Sequence, residues 1–136
     1  QPKTRDVRYD NVRSAMAEEG VLRMLLLEPH LFARAERLTA EQFSVEMFGK
    51  VFSAWHERWQ EDLTVSPAGL AEILSPAEMA HLTAVLQKQD APLSDDAFDD
   101  CVRIICEEHR RAQVADASDL RAMQESLRKK KGYGGT

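Results

Sequence analysis

Side chains able to do chemistry are few and scattered in this 136-residue chain. The nearest gathering of soft metal ligands is Cys101, Cys106 and His109. Cys106 and His109, three apart, could share a helix face, but two or three donors do not close a tetrahedral zinc site. Cys101 and Cys106 are five apart, about 140° around a helix, so an intrachain disulfide between them is not expected. Asp95, Asp96, Asp99 and Asp100 could hold a hard divalent ion or serve as acid and base. The same carboxylates open a helix, where they meet the positive end of its dipole, and that simpler role accounts for them. His30, His56 and His81 stand alone in sequence, and no nucleophile has a base at a recognisable spacing. Phosphate cradles need paired glycines at a helix start. Here Gly20, Gly49 and Gly69 are isolated, and Gly132, Gly134 and Gly135 follow the last helix. The expectation is a chain with no catalytic residues, no cofactor, no bound metal and no small-molecule substrate.

Recognition chemistry is better represented. Arg128, Lys129, Lys130 and Lys131 end a helical stretch and stand beside Tyr133, a combination that suits a single nucleic-acid strand or a partner contact. Cations are also what the negative end of a helix favours. A net charge of −5 argues against a domain devoted to neutralising phosphates. Trp55 and Trp59 could form an aromatic platform, but at helical spacing they read as core.

Helices must position all of these groups. No segment alternates apolar and polar residues with β-branched enrichment, whereas spacings of three and four recur, so the fold is expected to be all-α: a compact helical bundle followed by a C-terminal helical arm or short hairpin. A first helix runs from about Asn11, with Asp10 as its N-cap, to Glu28, where Pro29 stops it and opens a short helix carrying Leu31, Phe32 and Ala35. Thr39 and Gln42 match a capping box. Ser44 can cap the next helix, whose face is Phe48, Val51, Phe52, Trp55 and Trp59. Ser66-Pro67 and Ser75-Pro76, the latter with Glu78, mark two more starts, with a break at Asp90 to Leu93. The final helix starts at Ser94 and carries Phe98, Cys101, Val102, Ile105 and His109.

Beyond Ala112 the apolar stripe thins until Leu120, Met123 and Leu127 restore it. The helix either runs out of the bundle or breaks near Asp116 to Ser118, where Ser118 could cap a second one. The division is a lead over residues 1–10, a bundle over 11–113, an arm over 114–131 and a tail over 132–136. Charge follows it, with −3 over residues 1–88, −6 over 89–119 and +4 over 120–136. The longest near-apolar run, Val21 to Leu27, is far shorter than the roughly 20 residues a membrane span needs. Unpaired cysteines suit a reducing, cytoplasmic setting. The opening on Gln1 reads as a fragment of a longer protein.

In this helix order, the segments EEGVLRMLLLEPHLF, LTAEQFSVEMFGKVFSAW and DDAFDDCVRIICEEHRR resemble the C-terminal helicase-binding domain of bacterial replicative DNA primases of the DnaG type, over about residues 15 to 131. The N-terminal domain of the replicative helicase is similar too, but usually carries a Gly-Gly-aromatic stretch where SPAEMAHLTAVL stands here. The resemblance implies a bundle and terminal arm that dock on the replicative helicase hexamer, coupling primer synthesis to unwinding. DNA would be met only indirectly, through the primosome, and nucleotide transfer would belong to upstream primase domains. It places partner contacts, by position, at Leu120, Met123, Gln124, Leu127, Arg128, Lys129, Lys130 and Tyr133. The family's terminal hairpin is often longer, with a glycine in its turn. Here no glycine precedes Gly132 in the arm, so the hairpin is shortened or opened into one helix. Other readings are the helicase's own N-terminal domain, a nucleic-acid module using the basic tail, or an enzyme fragment.

Overall fold

The computed structural model describes residues 9–88 and 94–135, with Ala122 and the ten residues from 126 as backbone only. Most of the 1–10 lead, the Asp90 to Leu93 break and Thr136 therefore lie outside the described residues. Four α-helices follow one another: α1 Val12–Leu27, α2 Glu46–Gln60, α3 Pro76–Leu86 and α4 Asp95–Gly135, with 3-10 turns at Pro29–Arg34, Ala40–Gln42 and Leu70–Glu72. Among the described residues there is no strand, and the fold is all-α. No helix among them is long and apolar enough to cross a membrane.

The local signals act largely as their chemistry dictates. Pro29 stops α1 and opens a 3-10 turn that buries Leu31 and Phe32. Ser75, Pro76 and Glu78 form a full capping box on α3, with Glu78 N–H donating to Ser75 Oγ at 3.1 Å and Ser75 N–H to Glu78 Oε1 at 2.8 Å. Ser94 Oγ accepts from Ala97 N–H at the start of α4. Three expected caps differ. Asn11 rather than Asp10 caps α1, its side chain accepting from Ser14 N–H at 3.1 Å. The helix expected after Ser66-Pro67 is only a 3-10 turn at Leu70–Glu72, entered through Gly69 at φ 88, a left-handed geometry that favours glycine. Ser66 instead turns its carbonyl to the Trp55 indole N–H at 2.8 Å.

The third difference is the largest. Ser44 does not cap α2: the N-cap position falls on Val45, and the Ser44 hydroxyl donates to Glu18 of α1 at 2.6 Å. The Glu18 carboxylate also accepts the backbone N–H groups of Ser44 (2.8 Å) and Val45 (3.0 Å) and the hydroxyl of Ser14 (2.6 Å). One buried carboxylate on α1 thus collects the donors of the two residues that lead into α2.

The core forms around α2. Trp55, Phe48 and Val51 have no exposed surface, and they meet Phe32, Leu22, Leu25 and Phe98 from the neighbouring elements. Helix α1 packs most extensively on α4. The two run antiparallel, since Asn11 and Arg13 meet Glu108 while Gly20 lies against Cys101. A close approach holds the Ala40–Gln42 turn on α2: a Cβ added at Gly49 would stand 2.6 Å from the Ala40 carbonyl oxygen. Gly49→Ala is therefore expected to push the turn off the helix and lower stability by about 1–3 kcal/mol in urea titration. An unchanged midpoint would mean that the turn yields without cost.

Candidate protein-interaction surface

The distinguishing element is α4, 41 residues and about 60 Å long. Its first half is a core helix: Phe98 and Ile105 are fully buried and Val102 nearly so. Burial ends at Glu108, and every described side chain from Arg110 through Glu125 is exposed. There is no break at Asp116 to Ser118 and no hairpin. The backbone stays helical through Lys131 and on to Gly135, past the expected start of the tail.

The root of this arm is clasped. Glu108, 8% exposed, accepts from Arg13 Nη1 at 2.7 Å, from Asn11 Nδ2 at 3.1 Å and from Arg111 Nη1 at 3.0 Å. The Arg13 and Asn11 hydrogen bonds hold its carboxyl below the usual range. Because Asn11 also caps α1, one set of contacts ties the start of α1 to the place where α4 leaves the bundle. Glu108 belongs to no local motif, and its one signal in the sequence is an acid inside the apolar register between Ile105 and His109.

Helical register relates the arm to the core. Eighteen residues make about five full turns, so Leu120 lies on the same side of α4 as Val102, Met123 as Ile105, Gln124 as Cys106 and Leu127 as His109. The arm thus repeats, beyond the end of α1, the face that α4 uses to pack on the bundle. Leu120 is 59% exposed and Met123 61%, and Val114, on another face, is 61%. Gln124 is exposed as well. The side chains of Leu127, Arg128, Lys129, Lys130 and Tyr133 lie outside the description, and their positions follow from the helical backbone alone.

The other candidate residues have structural neighbours. Asp99 makes a two-pronged pair with Arg34 of the Pro29–Arg34 turn, at 2.6 and 3.0 Å, and this partner holds its carboxyl below the usual range. Asp100 pairs with Arg103 at 3.4 Å. Cys106 is buried and accepts from Gln42 Nε2 at 3.6 Å. Cys101 lies against Gly20, where burial pushes its thiol pKa up, away from the reactive thiolate. Among the described residues no three His, Cys, Asp or Glu side chains gather as metal ligands. Trp59 is half-buried and stacks on Phe32 with centroids 5.6 Å apart.

A partly buried polar network centred on Glu19 joins α1 to α3. Glu19 accepts from Tyr9 Oη and Lys88 Nζ, each at 2.7 Å, and Tyr9 Oη also lies 2.7 Å from His81 Nε2. Burial first, then the Glu19 hydrogen bond, raises the Tyr9 pKa, and burial lowers that of His81. These groups hold Tyr9 and the end of α3 on the bundle. An open trough of about 1070 Å³ runs along α2 between Phe43 and Ile73, and its lining contains no histidine or cysteine.

Compared with protein families, with curated proteins and with solved structures, the chain matches none.

Proposed function

We propose that this chain is the helicase-docking domain of a bacterial replicative primase, a non-catalytic module whose α4 arm binds the N-terminal region of the hexameric replicative helicase. The observation that carries the docking role is the arm: an unbroken helix that leaves the core with Leu120 and Met123 about three-fifths exposed on one face. An exposed apolar stripe at i and i+3, with Leu127 at i+7, suits helix-in-groove recognition. The basic run after it would add orientation and encounter rate more than affinity. The choice of the helicase as partner rests on the resemblance of the three helical segments. In this reading the bundle holds the arm at a set angle through the Glu108 clasp, and primer synthesis belongs to domains upstream.

The test is to change the stripe and measure both binding and folding. Leu120→Asp with Met123→Asp should leave the melting temperature of the bundle nearly unchanged, because neither side chain touches the core. Binding to the helicase from the same source, followed by calorimetry, should weaken at least tenfold, about 1.4 kcal/mol. Cutting the chain after Ala117 should do the same. Helicase binding that survives both changes would remove the arm from the interface.

A further inference from the structure

Along its length the arm carries a charge order that is complementary to itself when reversed. Outward from the bundle come Asp116 and Asp119, then Leu120, Met123 and Leu127, then Arg128 to Lys131. Asp116 lies five turns after Phe98, so it belongs to the same side of α4 as the apolar residues that follow it. Asp116, Asp119, Leu120 and Met123 are all exposed, so nothing within the described molecule covers this face.

We propose that a second copy of this chain covers it, the two arms lying antiparallel about a two-fold axis near Met123 and Gln124. In that arrangement the Asp116–Asp119 turn of each arm comes level with the Arg128–Lys131 turn of the other, and Leu120, Met123 and Leu127 of both arms meet between them. A two-fold contact uses the same patch twice, so the patch must complement its own reverse, as this one does. A parallel pair would set acid against acid and base against base, and flanking charges of this kind decide orientation in paired helices. The arm is long enough: with the axis between Met123 and Gln124, the second copy's Gly135 comes level with Ala112, just past the last buried residue, Glu108. With three apolar side chains contributed by each arm, the dimer is weak, and its exposed ion pairs make it weaker in salt. Self-pairing and docking on another protein draw on the same apolar residues and exclude one another. The self-association is measured on this chain alone, however, and stands or falls without any helicase.

Sedimentation equilibrium of the 136-residue chain over a concentration series at low salt tests it, with two charge-reversed forms. One carries Asp116→Lys and Asp119→Lys; the other carries Arg128→Glu, Lys130→Glu and Lys131→Glu. Circular dichroism checks that each form keeps its helix content. The wild-type chain should show a monomer–dimer equilibrium, each reversed form alone should associate at least tenfold more weakly, and an equimolar mixture of the two should recover dimer, because every acidic turn again meets a basic one. Wild-type chain that stays monomeric throughout would overturn the proposal, leaving the stripe to a different protein. So would a dimer that survives both reversals, or a mixture that fails to recover it.

Discussion

Trp55→Ala is expected to lower stability by about 3–5 kcal/mol, the range for removing a buried aromatic ring from a core. Trp55 has no exposed surface, sits at the middle of α2 and donates its indole N–H to the Ser66 carbonyl at 2.8 Å. Truncation would empty the centre of the bundle and leave the Ser66 carbonyl to find another donor. It would also free the segment between α2 and the Leu70–Glu72 turn, which that hydrogen bond ties down. Urea unfolding followed by circular dichroism measures the loss, and the fall in melting temperature should be roughly 10 °C or more. Trp59→Ala is the internal comparison: it is half-buried at the rim of the same stripe, and its removal should cost distinctly less. Equal losses at the two positions would show that the ring at Trp55 is not the centre of the core.

Glu18→Ala should cost about 1–3 kcal/mol by a different route. Little apolar volume is lost, one methylene beyond the carboxylate. Instead the backbone N–H groups of Ser44 and Val45 and the hydroxyls of Ser14 and Ser44 lose their common acceptor inside the protein. Ser14 is buried, whereas Ser44 is exposed and Val45 half-buried, so water reaches part of this set and the cost stays near that of one buried donor left without a partner, about 1–3 kcal/mol. The hydroxyls can rotate toward other acceptors, but the two backbone groups cannot. Amide hydrogen exchange at Ser44 and Val45 should therefore rise more than within α2, because the segment entering that helix loses its acceptor. Glu18→Gln keeps one oxygen acceptor and should retain part of the stability. A loss below about 1 kcal/mol for the alanine variant, with exchange at Ser44 and Val45 unchanged, would show that water or another group takes over as acceptor.

Both predictions concern the join between α1, α2 and the turns around them, and they differ in how far the sequence announced them. The stripe from Phe48 to Trp59 is legible because helical periodicity is a local property: 3.6 residues per turn puts those rings on one side of α2 whatever surrounds it. The stop at Pro29 and the capping box at Ser75 and Glu78 are legible for the same reason, since each is closed within three or four residues. Thus the all-helical class, the order of the elements and the greater part of the core follow from the amino-acid sequence by itself. So does the presence of an apolar stripe at Leu120, Met123 and Leu127 followed by a basic end.

What the tertiary structure alone decided is how distant segments share groups. Glu18 and Glu19 interrupt an apolar helix face, and nothing within four residues of Glu18 marks it as the acceptor for the segment that enters a helix beginning at Glu46. Ser44 has the residue type of a local cap but is drawn to Glu18, because a buried carboxylate must collect donors and Ser44 is brought to it by the packing of α1 on α2. The acidic cluster at the head of α4 gains an inter-element role through Arg34, 65 residues from Asp99 in sequence. The course of α4 beyond Glu108 was open to two readings, a break at Ser118 or one continuous helix, since propensity tolerates both. Only the fold shows that α1 ends the intramolecular cover at Glu108 while α4 continues in the same register, so that the face which fills the core becomes, five turns later, an exposed one. Local periodicity specifies which residues share a face, but which face is covered depends on where the neighbouring helix stops.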